Sequence, residues 1–315
     1  MPPYAVSRAM HDEMRRGYED IIPEMPKTRT EENRPMDAVN GMIEIELRLL
    51  QYGLWRPDYT TVLYGRRRTG KSNAAINLLK ALRPWYTEVY VFTGTKFDME
   101  YERCVPDEFI FQEFREDVVE YLLERQKQRV IRMRERGEND ENIFIMMVFD
   151  DVVTDDVLRT SLALKRVFFN GRHFYCGTII LAQDNKALTP ALRANTDMAG
   201  IFRSRAERDK DAVRTNYIDF VKTDADIDDI MEEVSALAFN TLWVDQSRPY
   251  MRPQDTLYVA KFPQGKDLEP FFMGTRQFWA NSTRQLEKYG GTEWLHREDW
   301  GIVNTTYKFK MTGME

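Results

Sequence analysis

The stretch Gly65-Arg66-Arg67-Arg68-Thr69-Gly70-Lys71-Ser72 constrains this chain more tightly than any other part of it. It meets the pattern G-x-x-x-x-G-K-[ST] in full. Glycines let backbone N–H groups turn inward and approach phosphate oxygens. The lysine brings a mobile positive charge to the β- and γ-phosphates, and the hydroxyl beside it can face Mg2+. The flanks agree with this reading. Thr61-Val62-Leu63-Tyr64 is β-branched and aromatic, as a short buried strand requires. From Ser72 to Leu82 the pattern is helical, with Ala75, Leu78, Leu79 and Leu82 on one face. Strand, loop and helix in this order aim a helix N-terminus at an anion. Gly65, Arg66, Arg67, Arg68, Thr69, Gly70, Lys71, Ser72 and the following Asn73 are therefore the expected ATP-binding residues. The three arginines occupy positions that mostly point away from a nucleotide. A solvated basic rim is their default role, and contact with a neighbouring subunit or DNA is the alternative.

A second stretch, "NIFIMMVFDDVV", is an unbroken apolar run that ends in two acids. Such a strand is buried on both faces, and its end meets a nucleotide at the edge of the sheet. Asp150 is the expected partner of Ser72 around Mg2+, and Asp151 the group that orients and polarises the attacking water. A buried strand followed by an Asp-rich turn is the bland alternative. A third stretch places Gln183 directly after the apolar run "YCGTIILA", hence at the same sheet edge, where it can sense a γ-phosphate. Arg172, Arg193 and Arg203 sit at loops or strand ends and are candidates for an arginine supplied to a neighbouring subunit, with ordinary surface pairing as the alternative. His173 stands alone, with no partner at metal-ligand spacing. The basic half of a long helix, from Arg125 to Arg136, is either a DNA path or a solvated helix face.

The order of elements follows from the periodicity. An amphipathic helix is expected over Asp37–Gln51, then strands over Thr61–Tyr64, Glu88–Thr93, Asn142–Asp150, Tyr175–Ala182 and Met198–Arg203. Val105–Gln112 supplies a short edge strand, a long helix runs from about Arg115 to Arg136, and Thr241–Asp245 with Thr256–Ala260 closes the sheet. Strands alternating with helices predict an α/β fold with a mostly parallel central sheet and helices on both faces. The strand between phosphate loop and acidic strand end distinguishes a motor-type ATPase sheet from the simpler kinase or GTPase order. The expected division is an N-terminal arm and leading helix (1–55), an ATPase domain (56–265) and a C-terminal extension (266–315).

Composition narrows the possibilities. Basic and acidic residues number 45 and 51, for a net charge of −6, which argues against a protein that coats nucleic acid through bulk charge. Two cysteines, Cys104 and Cys176, supply neither a disulfide framework nor a zinc site and suit a reducing compartment. No N-terminal apolar segment resembles a signal peptide, and the longest apolar run, Ile143–Phe149, is too short to span a membrane.

The spacing of "GRRRTGKS", "MMVFDD", "NGRHFYCGTIILAQ" and "TPALRANTDMAGIFR" resembles the poxvirus-type genome-packaging ATPases of nucleocytoplasmic large DNA viruses and virophages, within the FtsK/HerA superfamily of ring-forming DNA motors. The resemblance covers roughly residues 60–262. It implies the additional-strand, RecA-like type of P-loop NTPase. It implies Mg2+-dependent ATP hydrolysis that drives double-stranded DNA into a preformed capsid, by a homo-oligomeric ring at a capsid or portal vertex, in the virion or the host cytoplasm and not secreted. By motif position Lys71 and Ser72 are the phosphate-loop pair, Asp150 and Asp151 the acidic pair and Gln183 the sensor. Arg172 is the preferred inter-subunit arginine, with Arg193 behind it. Many relatives carry Glu at the second acidic position, so Asp151, one methylene shorter, needs its water closer. A helicase or conjugation ATPase of the same superfamily, and a small-molecule P-loop kinase, are the alternatives. An acidic pair ending one strand and a Gln ending the next speak against the kinase.

Overall fold

The computed structural model describes residues 48–282, apart from 95–98, 138–142, 153–156, 158–159, 184–187, 204–206, 221–223, 236–239, 249–252 and 264–267. Its strands are β1 (Arg48–Leu49), β2 (Thr60–Tyr64), β3 (Glu88–Thr93), β4 (Ile110–Phe111), β5 (Ile145–Asp150), β6 (Cys176–Ala182), β7 (Met198–Ile201), β8 (Asn240–Asp245) and β9 (Leu257–Lys261). They form one nine-stranded sheet in the order β1-β9-β8-β7-β2-β6-β5-β3-β4. β8 runs against both of its neighbours, and the other pairings are parallel. The phosphate-loop strand β2 and the acidic strand β5 each pair with β6, which lies between them as the additional strand; β3, the strand between them in the chain, does not separate them but pairs on the far side of β5.

The sequence dictates burial on both faces through its period of two. In β5, Ile145, Met147 and Phe149 enter one apolar layer, with Val119, Leu122 and Leu123 of helix α3 (Glu116–Glu135) and Leu164 and Val167 of helix α4 (Leu162–Asn170). Met146 and Val148 enter the other layer, with Ala74, Ala75, Leu78 and Leu79 of helix α1 (Lys71–Leu82). The helix following β3 is α2 (Met99–Glu102), and α5 (Pro190–Arg193) precedes β7. Helices α6 (Glu207–Tyr217) and α7 (Asp224–Ser235) bury Val213, Tyr217, Ile227, Ile230, Met231 and Val234 in the first layer. Helix α8 (Arg276–Ala280) is capped by Thr275, whose hydroxyl accepts the Phe278 N–H at 3.1 Å. Among the described residues no helix is long and apolar enough to cross a membrane.

The α/β expectation holds, as do the strands predicted around β2 to β9 and the edge position of β4. The helix expected over Asp37–Gln51 does not hold where the structure describes it. Arg48–Leu49 is a strand in parallel register with Tyr258–Val259, and the Leu50 N–H donates to the Val259 carbonyl at 2.9 Å. The exposed ladder of β9 offers hydrogen bonds that a periodicity count cannot weigh. The rest of that expected helix lies outside the described residues.

The N-terminal edge of the sheet carries its own electrostatics. Asp197, just before β7, accepts the Thr60 N–H at 2.8 Å. Burial lifts its carboxyl from 3.8 to about 6, helped by Asp58 and Asp245 and opposed by the Thr60 bond and by Arg172. The folded state therefore holds more protons than the unfolded chain between those values, and this group's contribution to stability falls as pH rises through them. In Asp197→Asn that slope is expected to flatten. Urea midpoints at pH 7.5 and pH 5 should lie closer together than in the parent protein, and an unchanged difference would count against the shift.

Candidate active site

Strands β2, β6 and β7 end side by side, with Tyr64 in register with Ala182 and Ile201. The chain leaves β2 under tight control: the Gly65 N–H donates to the Ala182 carbonyl at 3.1 Å, and the Phe202 N–H to that of Tyr64 at 2.8 Å. A Cβ on Gly65 would stand 2.6 Å from Phe202 Cβ and 2.7 Å from Thr69 Oγ1, so glycine is required here. The loop then reverses through two left-handed residues, Arg68 (φ 62°) and Gly70 (φ 98°), and starts α1. Thr69 Oγ1 donates to the Arg66 carbonyl at 2.8 Å and closes the loop on itself. Gly70 caps α1 without a side-chain acceptor, and the first turn carries no acid, so its amides and dipole suit an anion. The side chains of Arg66, Arg67 and Arg68 are exposed and form a basic rim.

Lys71 is buried, and its ammonium donates to the Gly65 and Arg66 carbonyls at 2.5 and 3.1 Å. Burial pulls its pKa down, Asp151 and Asp150 counteract this, and Arg67 adds to the depression. The charge thus sits inside the loop, balanced by the acids at the end of β5.

Those acids part company. Asp150 is in register with Thr93 and Leu181 and is only 4% exposed. Its Oδ2 accepts from Ser72 Oγ at 3.0 Å and from the Tyr101 hydroxyl at 2.9 Å. Asp151 takes a left-handed conformation (φ 54°), one that Asp tolerates better than most residues, and its side chain is exposed. One acid is therefore fixed and buried, and the other is free to meet solvent. The hydroxyl and carboxylate of Ser72 and Asp150 are hard oxygen donors of the kind Mg2+ takes, with its remaining positions filled by water and substrate phosphates. Among the described residues no group of three or more His, Cys, Asp or Glu is arranged to hold a metal on its own.

The other expected residues divide. Gln183, exposed, follows the Ala182–Tyr64 pair directly and so stands at the loop's edge of the sheet. Arg193, in α5, donates to the Leu188 carbonyl, and its charge opposes the burial that raises the hydroxyl pKa values of Tyr64 and Tyr217. It therefore lies near the strand end that feeds the phosphate loop. Arg203 follows Phe202 at the same edge and is exposed. Arg172 does not join them. It sits in a 3-10 turn (Gly171–Phe174) before β6, and its charge is felt by Asp58 and Asp197 at the opposite edge. The seven residues of β6 separate it from its own phosphate loop, roughly 20 Å at the rise of a strand. The Asn73 side chain is committed elsewhere, since with Asn77 it donates to the Pro263 carbonyl, at 2.7 and 3.1 Å, and ties α1 to the segment after β9. Tyr101 escaped the sequence reading, because nothing about a tyrosine in a charged turn points to a carboxylate 49 positions away.

Fold and site together define a P-loop NTPase of the additional-strand class. Within it, the chain belongs to the poxvirus A32 protein family, which it matches over residues 46–228. The uncharacterized protein 015R of frog virus 3 is 24% identical over 220 residues, covering 69% of this chain and 66% of that protein. Protein 075L of invertebrate iridescent virus 6, also uncharacterized, is 27% identical over 187 residues, 59% of this chain and 70% of that one. Among solved structures, EssC (ATPases 2 and 3) from Geobacillus thermodenitrificans shares the fold at a TM-score of 0.52, with 16% identity, over 78% of this chain and 45% of that one. The genome packaging NTPase B204 of Sulfolobus turreted icosahedral virus 2, in complex with AMPPCP, gives a TM-score of 0.45 and 18% identity over 66% of this chain and 100% of that one.

Gly65→Ala tests the closure of the loop. The added methyl group would run into Phe202 and Thr69 first, and overpacking of this kind typically costs about 1–3 kcal/mol. Affinity for a non-hydrolysable ATP analogue, measured by calorimetry, is expected to fall by roughly five- to a hundredfold, each tenfold being about 1.4 kcal/mol. Unchanged affinity would show that the loop has room the geometry denies.

Proposed function

We propose that this chain hydrolyses ATP to drive double-stranded DNA into a preformed viral capsid, working as a homo-oligomeric ring. The observation that carries the ATPase reading is the Ser72–Asp150 hydrogen bond, which joins the phosphate-loop helix to the acidic strand across the width of β6. Membership of the A32 family and relatives in frog and iridescent viruses support the viral setting. Packaging, rather than another DNA-translocating task of the same superfamily, rests on the motif resemblance.

In this reading the loop amides from Gly65 to Ser72 cradle the phosphates, and Lys71 turns its ammonium from the loop carbonyls to the β- and γ-phosphate oxygens. Ser72 and Asp150 would hold Mg2+, which when bound would supply charge neutralisation at the phosphates. Asp151 accepts a hydrogen bond from the attacking water and orients it in line with the leaving group. Gln183, across from the loop, contacts the γ-phosphate and senses its loss. An arginine from the neighbouring subunit stabilises the charge that develops on the transferring group. Arg172, remote from its own loop and exposed, is the arginine this reading assigns to a neighbouring subunit's nucleotide. Arg193 is nearer its own nucleotide. DNA contacts go to phosphates, because a motor that read bases would stall on them. The net charge of −6 then requires the basic residues of the channel to be local.

The first test is steady-state ATP turnover at low salt, with and without long double-stranded DNA. Turnover is expected to rise several-fold with DNA, to fall again as salt is added, and to vanish in Lys71→Ala. Turnover indifferent to DNA in an assembled ring leaves an ATPase and removes the motor. Asp151→Asn separates binding from chemistry. Nucleotide affinity should persist, while turnover falls by about two orders of magnitude or more, the usual contribution of a positioned general base. Retained turnover would move the base elsewhere.

A further inference from the structure

Tyr101 is fully buried, and its hydroxyl, like that of Ser72, donates to Asp150. The two donors converge on one oxygen, Oδ2, from opposite origins. Ser72 belongs to the phosphate-loop helix, and Tyr101 to the short helix α2 that follows β3. Ser72 has two tasks that compete, since its oxygen is a hydrogen-bond donor to the carboxylate and a prospective ligand of a cation.

The backbone around Tyr101 is held firmly. Its carbonyl accepts from the Cys104 and Val105 N–H groups at 3.0 and 2.9 Å. The Cys104 carbonyl in turn accepts the Met273 N–H at 2.8 Å, and the Thr275 N–H donates to the Thr87 carbonyl beside β3 at 2.9 Å. Trp279 Nε1 donates to the Met273 carbonyl at 2.7 Å, and Phe278 stacks on Phe109 with ring centroids 4.4 Å apart. The segment from Met273 to Trp279 therefore braces the turn from which the tyrosine reaches Asp150.

We propose that Tyr101 is the positioning residue of the divalent-cation site: its hydroxyl holds the Asp150 carboxylate in place while Ser72 turns its oxygen toward the ion. Groups that orient a metal-binding carboxylate typically contribute 10- to 100-fold to metal affinity. This rests on the reading of Ser72 and Asp150 given above. It also assigns a task to the segment after β9, which supports the site from a distance.

The test is Tyr101→Phe, which removes one hydroxyl and keeps the ring that packs the core. Binding of a fluorescent ADP to the full-length chain is followed as Mg2+ is added, beside a titration without metal. The expected result is a half-saturating Mg2+ concentration raised roughly tenfold, with metal-free ADP affinity the same as in the parent protein. An unmoved Mg2+ requirement overturns the proposal. So does a parallel loss of metal-free and metal-dependent affinity, which marks a merely structural tyrosine. If the parent protein itself shows no Mg2+-dependent ADP binding, the assignment of Ser72 and Asp150 falls, and the role of Tyr101 with it. The first two failures leave the ATPase reading standing.

Discussion

The structure turns on a carboxylate that has to be buried. Asp150 ends a strand covered on both faces and keeps only 4% of its surface in contact with solvent. An ionised carboxylate in such a place is costly unless hydrogen-bonded. Two hydroxyls answer that need, from Ser72 and Tyr101, and Lys71 adds a compensating charge nearby. Satisfying Asp150 thus fixes the distance between the phosphate loop and the acidic strand. It also commits the helix after β2 and the turn after β3 to the same point.

The sheet makes that convergence possible. β2, β5, β6 and β7 are parallel, so their C-terminal ends, and the loops that leave them, share one edge. Two of the three left-handed non-glycine residues of the described chain, Arg68 and Asp151, lie there, and the third, Tyr175, precedes β6 at the other edge. Such conformations cost on the order of 1–3 kcal/mol each and persist where the surroundings over-determine them. The opposite edge has a different character: Asp58 and Asp197 are carboxyls raised by burial, opposed at Asp58 by Arg56 and at both by Arg172.

Much of this was legible in the amino-acid order, because its signals are local. The phosphate loop is contiguous, the apolar run of β5 ends in its acids, and Gln183 follows its strand. The edge role of β4 follows from its shortness. What escaped was non-local or quiet. α7 carries Ile227, Ile230, Met231 and Val234 at helical spacing and was readable in principle, whereas α6 buries few apolar side chains among many charges. β1 exists because β9 offers it a ladder, and α8 because Thr275 caps it and Phe278 finds the ring of Phe109.

The sequence by itself determined the class of protein and the location of its candidate site, since a phosphate loop and an acidic strand end each need only a handful of neighbouring residues to be recognised. Tertiary structure decided which arginine shares an edge with the loop, that the Asn73 side chain anchors the segment after β9, and that Tyr101 donates to Asp150 beside Ser72. The physical reason is the same in each case. A hydrogen bond or a charge acts through a few ångströms of space, and residues 49 or 190 positions apart come within that range only when the sheet has placed them there.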